Sequence, residues 1–124
     1  MKTTDFILNG ETVTIPNDKK VLEQIERFQK IEQYTRAQEK LIIRTAEQPS
    51  KKHPQKHDFI IQVETDKYKI TAVNSAAPTP FLLLRSDSWH AMIHDKTNGT
   101  DILERGGVAK FYFELLKQLK DIQK

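Results

Sequence analysis

The sequence predicts an α+β fold: an antiparallel sheet built from β-hairpins, with a long N-terminal helical segment and a C-terminal helix packed on one face. Three observations support this class. Two Asn-Gly dipeptides, at 9–10 and 98–99, separate short apolar stretches. Two other stretches repeat apolar residues every three or four positions, and strand patterns outnumber helical ones. The expected element order is β-β-α-β-β-β-β-α, within a single globular domain spanning 1–124.

The N-terminus is predicted to form the first hairpin. Asn9-Gly10 is a strong signal for a type I′ turn, because both of its central residues need positive φ. This turn places Phe6 opposite Val13, with Leu8 on the same face as Phe6.

Residues 17–48 are expected to be helical. Pro16-Asn-Asp18 ends the preceding strand and supplies an N-cap. The stripe consists of Leu22, Ile25, Phe28, Ile31, Tyr34, Leu41 and Ile42. It thins across 33–38, so one helix and two shorter helices both remain open, and Pro49 ends the element in either case.

Residues 59–73 are predicted to form a second hairpin. A turn at Asp66 and Lys67 places Glu64 opposite Lys69, so that opposite charges meet across the strands. After a linker at 76–80, the run 81–85 (Phe-Leu-Leu-Leu-Arg) is typical of a central strand buried on both faces.

Residues 89–94 fit either a strand or one helical turn. The Asn98-Gly99 turn favours a strand, because it closes a third hairpin with Lys96 opposite Asp101 and Ile93 near Ile102 and Leu103. The last element is an amphipathic helix over 108–122, whose apolar residues again recur at steps of three and four.

The composition excludes several classes of protein. The chain has no cysteine, so it can form no disulfide framework, thiolate zinc site, iron–sulfur cluster or cysteine nucleophile. The N-terminus lacks the apolar core of a signal peptide, and no apolar run approaches the ~20 residues of a membrane helix. We therefore expect a cytoplasmic protein that needs no membrane and no cofactor.

The net charge of +3 comes entirely from one loop. Residues 1–48 carry eight basic and eight acidic side chains, and residues 58–124 carry nine of each. The prolines of the segment 49–57 predict an exposed, extended connection. Its charged and titratable side chains are candidates for binding a macromolecule: Lys51, Lys52, His53, Lys56 and His57. The loop contains no aromatic residue to stack on a base, and a solvated linker is the simpler interpretation.

All four histidines occur in pairs four residues apart, His53/His57 and His90/His94. On a helix this spacing suits a shared metal ion. On a strand the two imidazoles lie on one face but ~13 Å apart, which is too far for chelation. Because Pro54 prevents a regular helix in the first pair and the second pair is predicted on a strand, no metal site is expected.

A second candidate site lies after the predicted central strand. Arg85, His90 and His94, with Asp87 nearby, could supply a general base and a cation, as a metal-free ribonuclease requires. Small bacterial RNase toxins use comparable helix-plus-sheet architecture, but this is an analogy of size and build only. An ion pair of Arg85 with Asp87 or Asp95 is the simpler interpretation.

Arg105-Gly-Gly107 precedes the C-terminal helix, and a turn that frees the backbone explains these glycines without an anion site. The hypothesis that we favour is a small bacterial or phage-type interaction protein that binds a macromolecule without catalysis. Its expected partner is a protein, with RNA or DNA at the basic loop as the other candidate. The alternative is an RNase-like toxin or small nuclease acting through Arg85, His90 and His94.

Overall fold

The computed structural model describes residues 2–49, 57–74 and 89–122, with His57 described by its backbone alone. Seven strands and two helices lie within these ranges. They are β1 (Thr3–Leu8), β2 (Glu11–Pro16), α1 (Lys19–Arg36), β3 (Ile42–Pro49), β4 (His57–Glu64), β5 (Tyr68–Asn74), β6 (Trp89–Asp95), β7 (Thr100–Arg105) and α2 (Gly107–Ile122).

The strands form two antiparallel sheets. β1 pairs with β2, and the larger sheet has the order β3-β4-β5-β6-β7, so each of its strands pairs with its neighbour in the chain. The predicted α+β class is confirmed, and the element order agrees approximately. The described residues contain one strand more than the expected order.

The first hairpin forms as predicted. Asn9 has φ 54° and Gly10 has φ 86°, so both turn residues adopt positive φ. Phe6 pairs with Val13 across the hairpin. Leu8, on the same face as Phe6, is buried against the rest of the protein.

The prediction of helix over 17–48 is correct only for its first part. Asp18 caps α1 as expected, and its side chain accepts hydrogen bonds from the backbone of Lys20 and Val21. The helix ends at Arg36, and residues 42–49 form strand β3 instead of a second helix. The β-branched run at Ile42 and Ile43 pairs with the end of β4, and this tertiary pairing outweighs the helical spacing.

The second hairpin has the predicted register, with Glu64 opposite Lys69. The third hairpin also forms, and residues 89–94 are strand. Its predicted register is wrong: Asp101 pairs with His94 rather than with Lys96. The Asp95 side chain accepts from the backbone N–H groups of Thr97 and Asn98, and the Gly99 N–H donates to the Asp95 carbonyl, which enlarges the turn to four residues.

The predicted central strand 81–85 lies outside the described residues, as do residues 50–56 of the basic loop. Pro49 and His57, at the two ends of that loop, are paired as the last residue of β3 and the first of β4.

One face of the five-stranded sheet packs against α2. Alternate strand residues, among them Val63, Ile70 and Ile93, are fully buried in one core with Tyr112 and Leu116 of α2. α1 covers α2 from the other side, with the Phe28 ring 4.8 Å from the Tyr112 ring in an edge-to-face arrangement. We call the sheet face toward α2 the inner face and the opposite one the outer face.

Candidate functional site

The outer face of the large sheet carries no described helix. Because side chains alternate along a strand, every second residue of β3 to β7 points away from α2. The pairing of the strands places these residues on the outer face: Ile42, Arg44, Ala46, Gln48, Asp58, Ile60, Gln62, Glu64, Lys69, Thr71, Val73, His90, Met92, His94, Asp101, Leu103 and Arg105. None of them is aromatic.

Four aliphatic side chains occupy neighbouring positions in a strip across the outer face. Ile60 lies opposite Val73, Val73 is the diagonal neighbour of Met92, and Met92 lies opposite Leu103. Met92 and Leu103 are 49% and 55% exposed. Described helices pack only on the inner face, and the other two residues of the strip, Ile60 and Val73, are half-buried.

Charged side chains of both signs border the strip. Glu64 accepts hydrogen bonds from the Lys96 ammonium at 2.7 Å and from the Arg44 guanidinium at 3.3 Å. The Lys96 hydrogen bond, followed by that from Arg44, lowers the pKa of the Glu64 carboxyl. This end of the outer face therefore holds an ionised carboxylate among cations.

His90 and His94 both lie on the outer face, on β6. Their spacing along a strand corresponds to ~13 Å, which prevents them from sharing a metal ion. In the parts of the chain that the structure describes, no three His, Asp or Glu side chains are grouped closely enough to hold a metal.

The two histidines have different neighbours, which the sequence did not reveal. His94 Nδ1 lies 2.6 Å from Asp101 Oδ1, and both side chains are exposed. His90 pairs with Arg105 across β6 and β7. The predicted partners Arg85 and Asp87 lie outside the described residues.

The basic-loop candidates Lys51, Lys52, His53 and Lys56 also lie outside the described residues. His57 is placed by its backbone at the start of β4, and its pairing with Pro49 makes it part of the sheet rather than of the loop.

The inner face contains a buried ion pair that the sequence analysis missed. Glu104 of β7 is 2% exposed, and its Oε1 accepts from the Arg27 guanidinium at 2.7 Å. Its Oε2 and the nearby Tyr112 hydroxyl are buried without a hydrogen-bond partner. Burial raises the pKa of the Glu104 carboxyl, and Arg27 opposes that shift. The signal in the sequence was the alternation of β7, which places Glu104 on the same face as Ile102.

Gly106 forms a turn before α2, as predicted, and Gly107 is the first residue of the helix. Gly106 adopts φ 73°, and its N–H donates to the carbonyl of Trp89 while its carbonyl accepts from Lys110. These bonds tie the start of α2 to β6.

No known protein family matches the chain, and neither the curated proteins nor the solved structures include a significant match. In the described ranges, neither helix is long and apolar enough to cross a membrane.

Proposed function

We propose that this protein is a non-catalytic interaction protein that binds a protein partner through the outer face of its five-stranded sheet. The observation that carries the proposal is the aliphatic strip Ile60–Val73–Met92–Leu103, in which Met92 and Leu103 are exposed. Contiguous exposed apolar surface on a folded domain is typical of binding sites, and the flexible methionine suits a binding surface.

The chemistry of the face favours a protein over a nucleic acid. Proteins that bind single strands stack bases on aromatic rings, and no aromatic side chain lies among the outer-face residues. Glu64 and Asp101 would also repel phosphates next to Lys69. An aliphatic centre with mixed charges around it matches the anatomy of a protein interface.

Site-specific photocrosslinking tests this proposal in the cells that naturally produce the chain. A photoreactive amino acid replaces Leu103 in one variant and Ile7, which is 67% exposed on the first hairpin, in a matched control. We expect a protein adduct from position 103 that resists nuclease treatment, is absent from position 7 and is lost when Met92→Glu is added. Equal adducts from both positions, or an adduct that nuclease removes, would contradict the proposal.

The basic loop is proposed as a second contact, with Lys51, Lys52 and Lys56 attracting acidic groups of a partner. Replacing the three lysines with serine should weaken partner binding most at low salt. If binding and its salt dependence are unchanged, the loop is only a linker.

One observation favours the alternative of an RNase-like protein: His90 lies opposite Arg105, which pairs a general base with a cation that could stabilise a phosphorane. The alternative still assigns roles to Arg85, His90 and His94. It predicts that expression inhibits bacterial growth and that His90→Ala and His94→Ala relieve the inhibition. Harmless wild-type protein would exclude this alternative.

A further inference from the structure

The dipeptide Asn-Gly occurs at two turns, that of the first hairpin and that between β6 and β7. An asparagine before a glycine can react with its own main chain, because the glycine nitrogen can attack the carbonyl carbon of the asparagine side chain. Glycine favours this attack, since it has no Cβ to hinder the approach and its backbone is the most adaptable. The two turns thus share one intrinsic chemistry and differ in their surroundings.

Asn9 is held between the first hairpin and both helices. Its Nδ2 donates to the carbonyl of Phe111 on α2 at 3.1 Å, and its backbone N–H donates to the Glu32 carboxylate on α1 at 3.2 Å. Its carbonyl accepts from the Gln118 amide, and its Oδ1 is buried. Because the attack turns the side chain away from these partners, the hairpin must separate from the helices before Asn9 can react.

Asn98 lies in an exposed turn with fewer constraints on its side chain. Its Nδ2 donates to Asp95 Oδ2 at 3.4 Å, which is longer than a usual hydrogen bond. Asn98 and Gly99 are both exposed, and no described atom outside the adjoining residues lies within 4 Å of the position that a Cβ on Gly99 would take.

One hydrogen bond protects the attacking nitrogen of this second turn. The Gly99 N–H donates to the Asp95 carbonyl at 2.8 Å, so that bond must open before the nitrogen can react. Opening an exposed turn costs less free energy than separating a hairpin from two packed helices. The structure therefore favours reaction at Asn98 over reaction at Asn9.

We propose that Asn98 is a site of spontaneous covalent modification, where asparagine converts to aspartate and isoaspartate, while packing protects Asn9. The Gly99 nitrogen forms a bond to Asn98 Cγ and gives up its proton, the bond from Cγ to Nδ2 breaks, and ammonia leaves. Water then adds to one of the two carbonyl carbons of the cyclic imide and opens the ring. One opening gives aspartate, and the other gives isoaspartate, whose main chain runs through the former side chain.

The modification changes both the charge and the backbone of the turn. Each product replaces a neutral amide with a carboxylate, which lowers the net charge of +3 by one. In the aspartate product this carboxylate replaces the amide that donates to Asp95, so two like charges repel each other. The isoaspartate product adds one carbon to the main chain between β6 and β7. This inference does not depend on partner binding by the outer face.

The test is the ageing of the purified full chain at neutral pH in water enriched in oxygen-18. Peptide mapping by mass spectrometry locates each converted asparagine, and one solvent-derived oxygen identifies the hydrolysis. In the folded chain we expect conversion at Asn98 to be at least about tenfold faster than at Asn9. In concentrated guanidinium chloride, which unfolds both turns, the two rates should become similar.

Matched variants connect the charge change to one position. Asn98→Asp supplies the aspartate product as a standard for ion-exchange chromatography, and aged wild type should develop a peak that elutes with it. Asn98→Gln should not develop that peak, because its longer side chain closes a larger ring much more slowly, whereas Asn17→Gln should age like wild type. Circular dichroism verifies that each variant is folded.

Three results would overturn the proposal. The first is equal conversion of Asn9 and Asn98 in the folded chain, and the second is no conversion at Asn98 there. The third is an unchanged ratio of the two rates in guanidinium chloride, which would assign the difference to the neighbouring sequence instead of the fold.

Discussion

The two faces of the five-stranded sheet shift the pKa of a glutamate in opposite directions. On the inner face, burial raises the pKa of Glu104 although Arg27 neutralises its charge. On the outer face, hydrogen bonds from Lys96 and Arg44 lower the pKa of Glu64. A carboxylate on the inner face thus reduces stability when it ionises, whereas one on the outer face adds to stability when it ionises. The inner face is organised for packing, and the outer face tolerates charge and solvent.

The largest difference between the faces is expected at two adjacent residues of β6. Ile93 is fully buried on the inner face, and Met92 is 49% exposed on the outer face. Ile93→Ala should lower the free energy of unfolding by about 2–5 kcal/mol, because it leaves a cavity. Met92→Ala should change it by only about 0.5 kcal/mol. Urea denaturation measures both, and an equal loss at Met92 would show that the outer face is covered.

A smaller effect is expected from Arg27→Gln, which leaves the buried Glu104 carboxylate without its cation. Because Arg27 is itself 38% exposed, we expect a loss of about 1–3 kcal/mol rather than that of a fully buried pair. Without Arg27 the pKa of Glu104 rises further.

The stability deficit of Arg27→Gln is expected to depend on pH. A carboxyl whose folded-state pKa is raised loses its favourable contribution as the pH rises through that pKa. The deficit of Arg27→Gln relative to wild type should therefore be larger at pH 8 than at pH 5, as measured by urea denaturation at both values. A deficit that shrinks as the pH rises would be inconsistent with a buried, ionised Glu104.

The smallest effect is expected from Glu64→Gln on the outer face. The folded-state pKa of Glu64 is lowered, so its stabilising contribution is present above the unfolded-state pKa and disappears as the pH falls through the folded one. The variant should melt below wild type at neutral pH, and the two melting temperatures should converge in acid. Glu11→Gln on the first hairpin is the control, and a pH-independent difference at Glu64 would contradict the assignment.

The turns show how far the sequence predicts this fold. Asn9-Gly10 gave the correct turn and register because the positive φ of both residues suits the two-residue turn. The same dipeptide at 98–99 gave the correct hairpin but the wrong register. Hydrogen bonds to the Asp95 side chain stabilise a four-residue turn in place of the predicted two-residue turn. That shift explains why the His94–Asp101 contact was missed: the predicted register placed Lys96 opposite Asp101.

The error at β3 has a different origin. Leu41 and Ile42 continue the helical spacing of α1, and only the pairing with β4, a contact between distant parts of the chain, makes residues 42–49 a strand. The candidate site was predicted in part for the same reason. Alternation along β6 placed His90 and His94 on one face, but their neighbours on β7 depend on a register that was not predicted correctly.

The neighbour-to-neighbour order of the large sheet has a kinetic consequence. Each of its described strands pairs with the next described strand along the chain. Such local pairing lowers the contact order, and proteins of low contact order fold quickly because less chain entropy is lost before contacts form. The sheet from β3 to β7 can therefore assemble progressively, one hairpin after another, and α2, α1 and the first hairpin then complete the core.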